Sequence, residues 1–223
     1  MDFRHEWKHE INASDFITIS QRLKAAAKPD VHGEDGAYRV RSLYFDTPGD
    51  KALREKVDGV NRREKFRLRY YGNDISYIRL EKKSKWNGLC SKELMRVSKE
   101  DVERLLKGEY QWMKEGEKPL AAELYSKMMS QGLRPKTIVE YDRKAYTYGP
   151  GNVRVTLDYH IRTGMLRTDF LNQHSVLIPV KNPAVILEVK WDAFLPEIIR
   201  DAVQLKGRSS CAFSKYAASR VYG

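Results

Sequence analysis

The stretch Glu64–Gly72 reads EKFRLRYYG, and within it Lys65, Arg67 and Arg69 alternate with Phe66, Leu68 and Tyr70. Side chains on a strand point alternately to opposite faces, so one face here is apolar and the other carries three positive charges. A charged strand face is ordinarily solvated. Whether this one is depends on how the neighbouring segments are patterned.

Most of them repeat it. Alternation predicts strands over Tyr38–Asp46, Lys65–Tyr71, Ser76–Lys83, Thr137–Tyr146, Val153–Arg162 and Ala184–Trp191. Val153, Val155 and Leu157 alternate with Arg154, Thr156 and Asp158, and Ile78 and Leu80 alternate with Arg79, Glu81 and Lys83. Helical periodicity covers Ser14–Lys28, Lys99–Lys107, Pro119–Gln131 and Pro196–Lys206. Pro29, Pro48-Gly49 and Gly149-Pro150-Gly151 punctuate the segments, the last as a hairpin turn. No linker, repeat or low-complexity tract interrupts the chain, so a single domain over 1–223 is the simplest organisation.

Two architectures satisfy the pattern. In a sandwich the apolar faces meet and the charges face water. In an antiparallel barrel with helices outside, the apolar faces meet the helices and the charges line a tunnel. A sandwich core needs no amphipathic helices, whereas this chain supplies several, which favours the α+β barrel; an open sheet covered on one face satisfies the pattern as well. A tunnel crowded with Arg and Lys needs anions, because like charges in a poorly hydrated space repel. Arg offers forked contacts to phosphate oxygens and Lys a compact charge. Interspersed glutamates suit a divalent metal held through oxygen.

Composition agrees. Lys and Arg number 41 against 30 Asp and Glu, a net charge of +11 that favours polyanionic partners. Cys90 and Cys211 lack CxxC spacing, so no disulfide framework or cysteine zinc site is expected, and a reducing cytoplasm fits. The charged start MDFRHEWKHE is unlike a secretory signal, and the absence of a long apolar run implies a soluble chain; a product moved through a membrane would then need a separate membrane protein.

The segments RHEWK (Arg4–Lys8), SLYFDT (Ser42–Thr47), FRLRYYG (Phe66–Gly72), RLEKKSKWNGLCSKE (Arg79–Glu93), VEYDRKAY (Val139–Tyr146), VRVTLD (Val153–Asp158), ILEVKW (Ile186–Trp191) and FSKY (Phe213–Tyr216) together resemble the VTC domain. This is the polyphosphate polymerase domain first known from the vacuolar transporter chaperone complex, a branch of the CYTH-like triphosphate tunnel metalloenzymes. The resemblance is colinear from Arg4 to Tyr216. It implies an eight-stranded antiparallel tunnel barrel that moves the γ-phosphate of ATP onto growing inorganic polyphosphate with Mn²⁺ or Mg²⁺. Carried over by position, Lys8, Arg67, Arg69, Lys83, Lys92, Arg143, Arg154, Lys190 and Lys215 form the catalytic phosphate-contacting set. Arg67, Arg69, Lys83, Arg143, Arg154, Ser214 and Lys215 hold the nucleotide, and Glu188 and Glu6 hold the metal. Arg4 replaces one superfamily glutamate, and Ala212 stands where the closing motif often has Lys.

Rival readings are weaker. HEWKH (His5–His9) matches the HExxH zinc-protease pattern, but the context is a strand, which sets its histidines roughly 13 Å apart, too far for one zinc. His32, His160 and His174 receive no role, and Tyr141, Tyr146 and Tyr159 read as wall packing. Asp46 reads as structural, capping the segment after it. A nucleic-acid module would cluster its basic residues on one exposed patch with stacking aromatics, and this chain alternates them with glutamates, so no nucleic-acid partner is expected. Hydrolysis of tripolyphosphate, thiamine triphosphate or nucleotide in the same tunnel remains the alternative chemistry.

Overall fold

The computed structural model describes residues 4–30, 33, 36–87, 89–180, 185–205 and 213–220. His32, Ala184, Lys206, Cys211 and Ala212 therefore lie outside the described residues. In chain order the elements are β1 (His5–Ile11), α1 (Ala13–Ala26), β2 (Lys28–Pro29), β3 (Ala37–Asp46), α2 (Lys51–Val57), β4 (Arg63–Tyr71), β5 (Asp74–Trp86) and β6 (Leu89–Val97). There follow α3 (Lys99–Leu106), α4 (Pro119–Gln131), β7 (Arg134–Tyr148), β8 (Val153–Thr163), β9 (Ile178–Pro179), β10 (Val185–Trp191), α5 (Glu197–Val203) and α6 (Lys215–Ser219).

Eight of these strands form one antiparallel path, β1-β10-β8-β7-β3-β4-β5-β6, with the short β2 and β9 attached to β7 and β8. The sheet curls into a half-barrel with helices outside. Its ends approach each other across the interior: Lys83 Nζ on β5 lies 3.9 Å from Glu6 Oε2 on β1. Among the described residues no hydrogen-bonded ladder joins β1 to β6, so the ring is completed by side chains rather than backbone.

Apolar burial on the outside holds this shape. Leu43, Phe45, Phe66, Leu68, Ile78 and Leu80 pack beneath Val102 and Leu105 of α3 and Leu120, Leu124 and Met128 of α4. Ile11, Val153, Val155, Leu157, Leu187 and Val189 pack beneath Ile19 and Leu23 of α1 and Ile199 of α5. The sandwich is thereby excluded, because the apolar face of the sheet is spent on helices. A third cluster lies on the concave side, where Tyr216 of α6 meets Tyr44, Val139, Tyr141 and Ile161.

Local chemistry sets the boundaries. Asn12 and Asp15 form a reciprocal capping box at the start of α1. Ser98 Oγ accepts from Asp101 N at the start of α3. In the β7–β8 connection Gly151 has φ +71°, and a Cβ there would meet Phe194 O at 2.4 Å, so only glycine fits. Strand β6 was not foreseen from alternation: its side chains are mostly exposed, so it carries little apolar period to read. No helix among the described residues is long and apolar enough to cross a membrane.

Asp46 is structural, as its position suggested. Its buried carboxylate accepts from the backbone N–H of Thr47 (2.8 Å), Ala52 (2.9 Å) and Leu53 (3.1 Å), and from the Tyr216 hydroxyl (2.5 Å). One side chain thus caps α2 and anchors α6 on the concave face. Asp46→Ala should lose roughly 2–4 kcal/mol of unfolding free energy, measured by urea titration, because several buried donors lose their acceptor together. A loss under about 0.5 kcal/mol would contradict that role.

Candidate functional site: a cation-lined tunnel

The strand face opposite the helices carries the charges. Because the sheet curls, side chains far apart in sequence converge on three buried carboxylates. Glu81 on β5 is the first: Arg67 Nε donates to its Oε2 at 2.7 Å, Lys92 Nζ to its Oε1 at 2.6 Å, and Arg69 Nη1 stands 3.8 Å away. Asp158 on β8 is the second, held by both Nε (2.6 Å) and Nη2 (2.9 Å) of Arg143 and by Lys215 Nζ (2.6 Å). Glu188 on β10 is the third, 2.8 Å from Lys190 Nζ and 3.5 Å from Lys8 Nζ. Glu6 shares those two lysines, hydrogen-bonding Lys8 and lying 3.7 Å from Lys190.

Tyrosines join the groups. Tyr141 Oη accepts from Arg69 Nη2 (3.2 Å) and Arg143 Nη2 (3.4 Å), and the Lys215 ammonium lies 4.7 Å from its ring centroid. The wall-packing expectation for Tyr141 is corrected, since its hydroxyl lies among the cations. Tyr44 Oη accepts from Arg67 Nη1 at 3.0 Å, and its ring stacks on Tyr216.

The predicted residues therefore come together, with two qualifications. Arg154 stands apart, its guanidinium held by Asp30 and by Tyr38 Oη (2.9 Å). Ser214 caps α6, its Oγ accepting from Ala217 N, and joins none of the carboxylate-centred groups. Arg4 is tied to Asp192 at 2.7 Å on the exposed surface, whereas Glu6 of β1 meets Lys8, Lys83 and Lys190. Extended β1 also disposes of the zinc pattern, with His5 stacked on Trp191 away from Glu6 and Lys8.

Sequence reasoning passed over Glu81, Asp158, Lys65 and Arg79 as site residues. The signal was present in the alternation, which puts Lys65 beside Arg67, and Glu81 beside Arg79 and Lys83, on one strand face.

The charge states follow from burial and neighbours. Burial disfavours an ionised Glu81, yet Arg67, Arg69 and Lys92 outweigh it and hold the carboxyl well below its usual range. Burial likewise opposes ionised Glu188 and Asp158, and Lys190 with Lys8 for the one, and Arg143 with Lys215 for the other, overcome it. These acids stay charged and act as fixed counter-ions. For Lys8, burial is outweighed by Glu188 and Glu6, and its pKa rises. Lys65 differs: burial, with repulsion from Arg67, Lys83 and Lys56 only partly offset by Tyr44, lowers it to about 8. Lys83 is lowered too, by burial and by Lys8 and Lys190 against the pull of Glu6. Tyr44 is pulled to about 7 because Arg67, Arg69 and Lys65 overcome its burial. The wall holds more cation than its own acids neutralise, which is the electrostatic signature of an anion site.

The sequence matches the VTC domain family over residues 3–222. The chain belongs to the VTC domain family. No curated protein matches it in sequence. Among solved structures the PH1012 protein of Pyrococcus horikoshii OT3 is similar at 16% identity and a TM-score of 0.50, over 95% of this chain and 96% of that one. A proposed adenylate cyclase of Bacillus halodurans is similar at 16% identity and a TM-score of 0.50, over 85% of this chain and 80% of that one. At such identity the likeness is one of fold alone: the VTC chain shares with both an antiparallel sheet curled into a half-barrel with helices outside.

Lys65 supplies a test of the uncompensated charge. Its pKa is about 8 in the folded protein against 10.5 for an ordinary lysine, so between those values the unfolded chain holds the extra proton and stability rises with pH. Below about 8 the folded state carries the full penalty. Lys65→Gln should therefore melt above the parent at pH 7 without ligand, and the gap should close toward pH 10.5. A lower melting point for the variant at pH 7 would show that Lys65 is not repelled.

Proposed function

We propose that this chain is an inorganic polyphosphate polymerase that transfers the γ-phosphate of ATP to the end of a growing chain. The observation that carries the reading is the length of the cation track. Arg63, Lys65, Arg67 and Arg69 share one face of β4, a run of roughly 20 Å at the rise of a strand, with Lys83 and Lys85 paired opposite Lys65 and Arg63. A triphosphatase needs contacts for three phosphoryl groups, whereas a polymer needs a track beyond the reacting one. Membership of the VTC family supports the same reading.

In this reading the terminal oxygen of the polymer attacks the γ-phosphorus, the bond from that phosphorus to the β–γ bridging oxygen breaks, and ADP leaves. Such transfer needs positioning and charge stabilisation rather than a covalent protein intermediate. Arg67, Arg69 and Arg143 are the groups for the reacting phosphates, because Arg69 is buried, Arg67 and Arg143 are partly buried, and each is oriented by a fixed carboxylate and so reorganises little on binding. Lys8, Lys83, Lys92, Lys190 and Lys215 add charge, and Arg154 is the outlying contact.

The donor set is compatible with Mn²⁺ or Mg²⁺ binding through one or two carboxylates and substrate oxygens, the habit of magnesium in phosphoryl-transfer sites. Glu188 and Glu6 would hold the ion; among the described residues no group of three or more His, Cys, Asp or Glu forms a protein-only cage. When bound, such an ion neutralises phosphate charge. The nucleotide, polyphosphate and pyrophosphate are the partners this reading requires.

Purified protein incubated with ATP and Mn²⁺ should accumulate long-chain polyphosphate and ADP. Free phosphate without polymer would convert the reading to a triphosphatase, and no turnover would leave a polyanion-binding protein. Arg69→Ala and Lys215→Ala should each lower turnover on the order of 100-fold while melting cooperatively, as for loss of a transition-state donor. An unchanged rate in either would remove that residue from the site. Glu188→Gln should raise the Mn²⁺ concentration needed for half-maximal turnover, and an unaltered metal dependence would take Glu188 out of the metal set.

A further inference from the structure

The two ends of the β4–β5 wall differ in chemistry. At one end Arg63, Lys65 and Lys85, with Lys56 of α2 near them, form no ion pair among the described residues and present bare positive charge. At the other end the same face carries flat groups. Arg79 lies between two tyrosines, its Cζ 5.3 Å from the Tyr71 ring centroid and 4.8 Å from that of Tyr77, and Arg96 lies 5.1 Å from Tyr77. Tyr38 meets Tyr71 edge-on at 5.7 Å.

Three features of this stack point to a ligand. Arg79 and Arg96 make no ion pair among the described residues, although carboxylates hold the arginines deeper in the tunnel. The Arg79 Nε is buried without a hydrogen-bond partner. Tyr77 leaves 38% of its surface exposed beside them. Alternating tyrosine and guanidinium planes at the end of a phosphate track recognise a flat aromatic group joined to phosphates, since bases stack on both kinds of plane with little regard to sequence.

We propose that the Tyr71–Arg79–Tyr77–Arg96 stack is the seat of the nucleobase, so that the nucleoside triphosphate lies base-outward at this end with its phosphates running toward Arg69 and Arg67. This rests on the nucleotide-using reading above and adds its polarity. Arg67 and Tyr71 are four residues apart on β4, roughly 13 Å, which leaves room for a sugar and the inner phosphates between them. The exposed Trp86, covered by Arg62 at 5.4 Å, is the competing platform, but it follows Lys85 on β5 and so points to the opposite face of the sheet, at the cationic end.

The test compares equilibrium binding of β,γ-imido-ATP and inorganic tripolyphosphate, both in EDTA to stop turnover. Tyr77→Ala should weaken the nucleotide about tenfold, in the range of one lost base-stacking contact, and leave tripolyphosphate unchanged. Tyr77→Phe should bind both as the parent does, and Trp86→Ala should leave both unchanged. The proposal is overturned if Tyr77→Ala weakens both ligands equally or neither, or if Trp86→Ala produces the selective loss. Equal affinity of the parent for both ligands would also overturn it while leaving a phosphate tunnel intact. Binding of neither ligand by the parent would remove the nucleotide reading together with it.

Discussion

The pairing of buried carboxylates with inward-facing arginines is the constraint on which the rest of this structure depends. Removing a guanidinium or a carboxylate from water carries a large desolvation cost, and a half-made pair is worse than none. Glu81, Asp158 and Glu188 meet that condition by each taking at least two cations, drawn from different strands or from α6. The curl of the sheet, the placement of α6 and the registers of β4 with β5 and of β7 with β8 all serve these contacts. A one-residue slip in any of those pairings would carry the cations into the apolar layer beneath the helices.

Compensation is deliberately incomplete. Glu81 fixes Arg67 and Arg69, Asp158 fixes Arg143, and Glu188 holds Lys190 and Lys8, while Lys65 and Lys83 remain repelled by their neighbours. Folded without a ligand, the chain therefore holds electrostatic strain that an anion relieves. The same strain accounts for the depressed Tyr44 phenol, which shares in neutralising Arg67. Under the polymerase reading proposed above, rigid arginines would give the reacting phosphate a fixed frame and adaptable lysines would give the moving chain contacts that are easily exchanged.

The fold was largely legible because its signal is local. The period of two in YRVRSLYFD, KFRLRYY and VRVTLDYHIR, and the helical stripes of Ile19–Leu23 and Leu120–Leu124, appear in the structure as β3, β4, β8, α1 and α4. Strand β6 was hidden because an exposed strand needs no apolar period. Tyr141 was misread for a different reason: its ring does pack in the concave cluster, as a wall residue would, and only the convergence of Arg69 and Arg143 gives its hydroxyl work.

Sequence alone determined which residue types share a strand face, and so that one face of this sheet is cationic and the other apolar, since strand geometry makes that a matter of parity. It also determined, through eight colinear motifs, the family. Tertiary structure decided which cation meets which acid. Arg67 and Glu81 are neighbours across a hairpin, but Lys215 meets Asp158, and Lys83 meets Glu6, only because the sheet curls and α6 enters its concave side. Such pairings depend on curvature summed over eight strands, and no local pattern in the chain encodes that sum.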